Sequence, residues 1–334
     1  MAILSSKQVA VRPFRLDTQA SLNQIAAAMA QDVYDPTNGN SSGWGSTHDT
    51  DAFLGVQPNT EFDVEAPEQH FHDFRDPEIL PARFYWWTPN HAALRRQGEQ
   101  ASRRTTHVLT AADVILFPKS NGSIIGLVTA RDQQQYMQVV NGLSILLDTV
   151  GSGTTVVTEN LTEHITEDLF VWLLYRLQWR QDLPPNLYLS AIQEISSVDR
   201  QYRGARFQDE ASVERIELAA LVAVRVKGFG PAKIDLLAVN PDASFSLELH
   251  MDGGFQPYRR STYERSDLDG APQARALIED LWTIIIPQLR AAYRADDEWF
   301  ESGRLRLRLE ARNRVYELLG NAPDSNDPEP IFSI

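Results

Sequence analysis

Residues 232–251 read AKIDLLAVNPDASFSLELHM, and this stretch decides the fold of the C-terminal half. Its centre, Asn240-Pro241-Asp242-Ala243, is a turn signal, because proline presets φ for the second position of a turn and aspartate tolerates the third. Successive side chains of a strand point to opposite faces, which predicts a β-hairpin with one buried face. The apolar face comprises Ile234, Leu236, Ala238, Phe245, Leu247, Leu249 and Met251, and the polar face comprises Lys233, Asp235, Ser246, Glu248 and His250.

Counting outward from this turn predicts the register of the hairpin. Val239 falls opposite Ser244, Asp235 opposite Glu248, and Lys233 opposite His250. Two carboxylates directly opposite each other repel unless a cation or a proton lies between them. The alternative is a solvated face on which Lys233 and Glu248, and likewise Asp235 and His250, attract each other diagonally across the strands.

The patterns around the hairpin predict an α+β protein built of two mixed α/β layers. The C-terminal half is expected to be an antiparallel β-meander, which starts near Ile216 and includes a strand at Val222–Lys227. It packs on a long helix from Pro272 to Arg294, with a kink at Pro287. Arg304–Glu310, RLRLRLE, alternates strictly and predicts one more strand after that helix.

The length of 334 residues favours two domains over one. A strongly apolar helix is predicted from Thr166 to about Gln181, and Pro184-Pro185 ends it. We therefore expect an N-terminal α+β domain at 1–185, a C-terminal meander and helix domain at 186–320, and a loose polar tail at 321–334.

Composition narrows the functional classes. The chain has no cysteine, which excludes disulfides, thiolate metal sites and a cysteine nucleophile. It has no apolar run of the roughly 18 residues that span a bilayer, and its N-terminus lacks the features of a signal peptide. We therefore expect a cytoplasmic protein without membrane contacts. Its 31 basic residues include only four lysines, a usage common in GC-rich bacterial genomes.

The net charge of −14 is concentrated in one region. Residues 32–80 hold eleven acidic residues and one basic residue, so this segment alone carries −10. Much of it is rich in Gly, Ser, Asn and Thr, which predicts a long acidic loop. Such a loop suits a cationic partner, steered to it by charge.

The hairpin resembles the core of the PD-(D/E)XK nucleases, in which an Asp opens one strand and Glu-x-Lys follows in the next. The resemblance implies that Asp235 and Glu248 hold Mg²⁺, with Glu214 or Glu217 as a further acid. This sequence departs from the family because His250 stands where the lysine is expected. Lys233, across the hairpin, would have to replace that lysine. The resemblance covers about 20 residues, and its motif is short.

Two other groups are candidate sites. His70 and His72 lie close to Glu68 and Asp73, a pattern that could bind a transition metal, although a hydrated acidic segment is the plainer explanation. Arg304, Arg306 and Arg308 would share one side of the predicted strand and could bind an anion such as phosphate. Charged residues on an exposed strand also prevent edge-to-edge pairing, which is the plainer explanation.

Three functions follow from these observations. The first is a non-enzymatic binding or accessory protein that needs no cofactor and acts through protein–protein contacts. The second is a Mg²⁺-dependent nuclease, or a degenerate relative, that uses Asp235, Glu248, Lys233 and His250. The third is binding of phosphate or nucleic acid by the arginines without chemistry. Homo-oligomers are compatible with all three.

Overall fold

The computed structural model describes residues 10–35, 42–45, 47, 79–97, 106–118, 122–130, 132–151, 153–159, 164–198, 204–208, 214–223, 228–239, 242–258, 260–263 and 271–319. Within this part the chain is a mixed α+β protein, as predicted. It divides into two compact units, Val9–Thr162 and a second unit that includes Glu163–Ile334. The division therefore follows Thr162, about 20 residues before the expected boundary at 185.

In its described residues, the first unit contains paired antiparallel strands and three helices. Its elements are β1 (Val11–Asp17), α1 (Leu22–Met29), β2 (Gly43–Gly45), β3 (Leu80–Pro89), α2 (His91–Gln97), β4 (His107–Pro118), β5 (Ile124–Thr129), α3 (Gln133–Val150) and β6 (Thr155–Val157). The strand order is β2-β3-β4-β5-β1, and β6 also pairs with β1. Helices α1 and α3 pack against each other, and their apolar side chains share one core with the sheet.

Close approach at one glycine fixes how two strands of this unit pack. Gly126 lies directly opposite Phe14 in the pairing of β5 with β1. A Cβ atom at Gly126 would lie 1.9 Å from the Phe14 ring, so only glycine leaves room for the ring to cross the strand. The Phe14 side chain is fully buried there.

The second unit also contains a set of paired antiparallel strands. Its elements are α4 (Glu167–Trp179), β7 (Asp182–Leu183), β8 (Leu187–Val198), β9 (Gly204–Gln208), α5 (Ile216–Ala223), β10 (Phe229–Ala238), β11 (Ala243–Leu249), β12 (Phe255–Pro257), β13 (Thr262–Tyr263), α6 (Ala271–Asp280), α7 (Ile286–Arg294) and α8 (Arg304–Leu319). The strand order is β12-β11-β10-β8-β7, with β9 on β8 and β13 on β11. We call this the second sheet.

Helix α4 packs on β8 and β10, which is why it belongs to the second unit. The contact is closest at Gly230, where a Cβ atom would lie 2.7 Å from the Phe170 ring. The backbone φ of Gly230 is +121°, a conformation that other residues rarely adopt. Helix α4 ends at Trp179, and β7 lies between it and the Pro184-Pro185 pair, so the prolines do not end the helix. The elements on both sides of the pair pack together.

Two stretches that the sequence predicted to be extended are helical where the structure describes them, and residues 224–227 of the predicted strand Val222–Lys227 lie outside the described residues. Residues 216–223 form α5, because Leu218, Ala219 and Val222 are buried at helical spacing. Residues 304–310 open α8, so the additional C-terminal strand is wrong. Leucine and arginine are good helix formers, and the alternation hid a helical pattern in which Leu307 and Ala311 are buried while Leu305 and Leu309 are exposed.

The predicted long helix forms as a nearly continuous run. Helix α6 passes through a π-helical turn at Leu281–Ile285 into α7, where Pro287 occupies the first turn. A second π-helical turn, Trp299–Gly303, leads into α8. π-Helical turns and proline are the usual causes of irregularity in a helix.

Asp168 joins α4 to this helical run. Its carboxylate accepts hydrogen bonds from Tyr293 Oη at 2.6 Å, Trp299 Nε1 at 2.9 Å and Arg304 Nη2 at 2.6 Å. Burial alone would raise the pKa of Asp168, but the bonds from Arg304, Tyr293 and Trp299 outweigh it and lower the pKa below the usual value. The ionised carboxylate thus holds three helical elements together.

Asp296 makes the neighbouring connection. Its Oδ2 accepts from Trp172 Nε1 at 2.7 Å and from Arg176 Nη1 at 3.1 Å, while its Oδ1 accepts from the backbone N–H of Trp299 at 3.1 Å. Among the helices in the described ranges, none has the length and apolarity needed to cross a membrane.

Candidate functional site

The hairpin forms, but its register differs from the predicted one by two residues. Lys233 lies opposite Glu248, Asp235 opposite Ser246, and Leu237 opposite Ser244. The predicted pairs Asp235–Glu248, Lys233–His250 and Val239–Ser244 are therefore wrong. Four residues separate the paired ends in both registers, but they are 239–242 instead of 240–243. Moving the turn by one residue shifts the pairing by two, so every side chain keeps its predicted face.

A row of polar residues crosses five strands on the face that carries Lys233 and Asp235, which we call the polar face. In spatial order, the row is Gln208, Glu194, Lys233, Glu248 and Gln256. The single lysine therefore lies between two carboxylates on adjacent strands. Directly opposite side chains are neighbours on the face of a sheet, so the row places charges of opposite sign side by side on β8, β10 and β11.

A β-bulge adds a further side chain to the polar face. The pairing register between β8 and β10 shifts before Ile234 and again after Asp235. Gln193 is the extra residue of β8 at the first of these shifts. Bulges re-aim side chains and are frequent beside functional sites. Here Gln193 Nε2 donates a hydrogen bond of 3.0 Å to Asp235 Oδ2.

Asp235 is bound on its other oxygen by an arginine from the loop between β12 and β13. Arg260 Nη2 donates to Asp235 Oδ1 at 2.7 Å, and Arg260 Nε donates to Ser246 Oγ at 2.5 Å. Ser246 lies directly opposite Asp235, so one guanidinium spans both partners of a cross-strand pair. Both oxygens of the Asp235 carboxylate thus accept a hydrogen bond from a side chain.

Glu248 is bound by a tyrosine from the same loop. Tyr258 Oη donates to Glu248 Oε2 at 2.5 Å, and Lys233 Nζ lies 3.9 Å from the centre of the Tyr258 ring, a cation–π contact. Burial, followed by the bond to Glu248, raises the pKa of Tyr258, so the hydroxyl remains protonated and keeps donating. His250 Nε2 lies 4.0 Å from Glu248 Oε1.

Glu194, the third carboxylate, pairs with an arginine of β9. Arg206 Nε donates to Glu194 Oε1, and Gln208 Nε2 donates to Glu194 Oε2 at 3.4 Å. The bond to Glu194 raises the pKa of Arg206. We refer to these side chains together as the polar cluster, which comprises Gln193, Glu194, Arg206, Lys233, Asp235, Ser246, Glu248, His250, Tyr258 and Arg260.

The polar cluster is layered by charge. The side chains of Glu194, Glu248 and Asp235 are only 11%, 15% and 20% exposed. Those of Arg206 and Arg260 are 61% and 47% exposed. The carboxylates therefore form the floor of the cluster, and guanidinium groups form much of its solvent-facing layer.

The polar face becomes apolar toward the hairpin turn. Leu237 and Val239 follow Asp235 on this face, and Tyr188 of β8 lies opposite Leu237. All three side chains are exposed. We call Tyr188, Leu237 and Val239 the apolar end.

The predicted metal pair lies on one face but not side by side. Asp235 and Glu248 are diagonal neighbours in the observed register, a separation of about 7–8 Å between Cα atoms. Among the described residues, no group of three or more acidic, histidine or cysteine side chains is arranged to hold a metal ion. Glu217 is exposed on α5, a helix that packs against α8.

The predicted arginine row does not form, because these residues are on a helix and not on a strand. Arg304 pairs with Asp168, and this hydrogen bond raises the pKa of Arg304. Arg306 lies 3.7 Å from Glu298 and stacks over the Trp179 ring at 4.7 Å. With about 100° between successive residues of a helix, Arg306 points away from Arg304 and Arg308.

Some predictions fall outside the described residues. These are His70, His72, most of the acidic segment 32–80 and the tail 321–334. Within the acidic segment, Gly43–Gly45 is described as a strand paired with β3, and Trp44 is fully buried.

Five members of the polar cluster are not predicted as site residues from the sequence: Gln193, Glu194, Arg206, Tyr258 and Arg260. Glu194 lies in a stretch with no clear alternation, because bulges interrupt β8. Tyr258 and Arg260 reach the hairpin from a loop, and no local pattern signals that approach.

The comparisons with known proteins give no family. No known protein-family model matches this chain, and no curated protein matches it significantly.

Proposed function

We propose that this chain is a non-enzymatic binding protein that contacts a protein partner through the polar face of the second sheet. The observation that supports this most directly is that each carboxylate of the polar cluster is held by side-chain donors. Asp235 is held by Arg260 and Gln193, Glu248 by Tyr258, and Glu194 by Arg206.

These contacts favour binding over metal-dependent catalysis. Mg²⁺ takes oxygen ligands in near-octahedral geometry and retains several waters. A metal between Asp235 and Glu248 would have to displace the donated hydrogen bonds of Arg260 and Tyr258, which are charge-assisted and among the stronger ones in proteins. Exposed arginine and tyrosine beside an apolar patch are also the composition of protein–protein contact surfaces.

A Mg²⁺-dependent nuclease is the second candidate. It is favoured by the position of Lys233, which lies directly between Glu194 and Glu248 with Asp235 on the same face. Carboxylates beside a lysine are what the PD-(D/E)XK mechanism requires, although here the lysine belongs to the neighbouring strand.

One assay separates the two proposals. Single- and double-stranded DNA and RNA are incubated with the protein and Mg²⁺ or Mn²⁺, beside Glu248→Ala and the matched surface variant Glu310→Ala. A binding protein leaves all substrates intact. Cleavage that persists in Glu310→Ala and is lost in Glu248→Ala would replace the binding proposal with the nuclease.

A further inference from the structure

We propose that the polar face of the second sheet binds residues 51–76, the central part of the acidic segment, of a second copy of this chain. The inference rests on the proposed function and names its partner. It is carried by complementarity between the exposed layer of the polar cluster, the adjoining apolar end, and the composition of that segment.

The receiving surface presents cations first. Arg206 and Arg260 are the most exposed charges of the polar cluster, while their acidic partners Glu194 and Asp235 lie below them. A guanidinium has five N–H donors in a planar fork, so an arginine that holds one carboxylate can bind a second from the solvent side. A carboxylate that approaches this face therefore meets guanidinium groups before it meets the buried acids.

The segment supplies matching groups. Residues 51–76 read DAFLGVQPNTEFDVEAPEQHFHDFRD and hold seven acidic residues and one basic residue, a net charge of −6. Four carboxylates, Glu61, Asp63, Glu65 and Glu68, occur within eight residues. Apolar side chains flank and interrupt them, namely Phe53, Leu54, Val56, Phe62, Val64, Phe71 and Phe74.

The dimensions of the two surfaces agree. Along β10 the apolar end begins two residues after Asp235, a distance of about 7 Å at the rise of a strand. An extended peptide covers that distance with two or three residues. A segment whose carboxylates contact Arg206 and Arg260 can therefore place a neighbouring phenylalanine on Tyr188 and Leu237.

A second copy fits this surface better than a nucleic acid does. A phosphate backbone could contact the guanidinium groups, but it has no apolar side chains to place on the apolar end, whereas residues 51–76 have both carboxylates and apolar side chains. In a two-fold pair each copy offers one segment and one receiving face, so two identical contacts form together. Once the first contact has formed, the second forms within the same pair, which raises the affinity of the dimer without any additional type of contact.

The test compares self-association of the full chain and three variants by sedimentation velocity. A face variant carries Arg206→Gln and Arg260→Gln, and a segment variant carries Glu61→Gln, Asp63→Asn, Glu65→Gln and Glu68→Gln. Arg314→Gln is the control, because Arg314 is a half-exposed arginine of α8 that pairs with Glu317, away from the polar cluster. Measurements at about 0.05 M and about 0.5 M NaCl separate electrostatic association from other causes.

We expect the wild-type chain to dimerise between about 1 and 100 µM at low salt, and to associate at least about tenfold more weakly at high salt. The face and segment variants should each associate at least about tenfold more weakly than Arg314→Gln. Mixing these two variants should restore one of the two contacts, because one supplies the intact segment and the other supplies the intact face. The heterodimer should therefore be tighter than self-association of either variant and weaker than the wild-type dimer. This complementation also shows that both variants are folded.

Three results would overturn the inference: a wild-type chain that stays monomeric throughout, a face variant that dimerises like the wild type, or mixed variants that do not combine. Retention of DNA by the wild type without self-association would likewise replace it with nucleic-acid binding. None of these results involves metal-dependent cleavage, so failure of this inference is distinguishable from failure of the proposed function.

Discussion

At the scale of single residues, Asp168 is the clearest case in which an ionised side chain stabilises the fold. It receives hydrogen bonds from Tyr293, Trp299 and Arg304, and these lower its pKa despite partial burial. We expect Asp168→Asn to lower the free energy of unfolding by about 1–2 kcal/mol at neutral pH, a figure reduced because the carboxyl is partly exposed.

This stability difference should depend on pH in a defined direction. Because the pKa of Asp168 is lower in the folded state than the unfolded value of about 3.9, its contribution is complete above that value and is lost as pH falls through the folded-state pKa. Urea unfolding of wild type and Asp168→Asn at neutral and acidic pH measures the difference, with the exposed Asp297→Asn as control. A difference that stays constant into acid, or one no larger than the control, would contradict this role.

Residue types alone predicted part of the site. The polar and apolar faces of the hairpin follow from local alternation, and Lys233, Asp235, Ser246 and Glu248 were placed on the correct face. Arg206 and Arg260 could not be placed, because their positions depend on long-range pairing and on a loop whose path the local sequence does not encode.

At the scale of elements, the register of the hairpin has a direct chemical test. The chain has no cysteine, so a pair of introduced cysteines reports its own separation. Leu237 lies opposite Ser244, and Cα atoms of opposite residues are about 4.5–5.5 Å apart, within the range of a disulfide. We expect Leu237→Cys with Ser244→Cys to close a disulfide under mild oxidation.

The matched control places the first cysteine at Val239, the residue that the sequence predicted to face Ser244. Val239→Cys with Ser244→Cys should remain reduced under the same conditions, as measured by titration of free thiols. The opposite outcome, with the second pair oxidised and the first reduced, would show that the predicted register is the real one.

Packing of strands in the first unit depends on Gly126. Because a Cβ atom there would lie 1.9 Å from the Phe14 ring, we expect Gly126→Ala to cost about 1–3 kcal/mol of stability, the usual penalty for overpacking. Gly204→Ala is the control, since the nearest atom to its Cβ is 4.0 Å away. Thermal unfolding measures both variants. Combining Gly126→Ala with Phe14→Leu should recover part of the loss, and a loss unchanged by Phe14→Leu would refute the proposed clash.

The elements also show where a sequence pattern misleads. The run from Arg304 to Glu310 alternates as strands do, yet it contains no β-branched residue and continues a helical run. The register of the hairpin illustrates a second limit, because proline and aspartate signal a turn without fixing its centre to within one residue. A register error of two residues leaves each side chain on its predicted face, but it changes which residues lie opposite each other.

At the scale of the whole molecule, charged side chains of the described second unit pair with one another. Carboxylates accept hydrogen bonds from arginine or tyrosine both in the polar cluster and at Asp168. The α+β class follows from the mixture of local patterns. The division after Thr162 does not, because it depends on α4 packing against strands that come later in the chain.

The central claim is that the polar cluster is a surface for binding a partner and not a metal site, because its carboxylates already accept hydrogen bonds from neighbouring side chains. Calorimetric titration of the full chain with Mn²⁺ tests it most directly, beside Glu248→Gln and the surface control Glu310→Gln. We expect no site tighter than about 1 mM in any of the three proteins. One site of higher affinity in wild type and in Glu310→Gln, absent from Glu248→Gln, would contradict the claim.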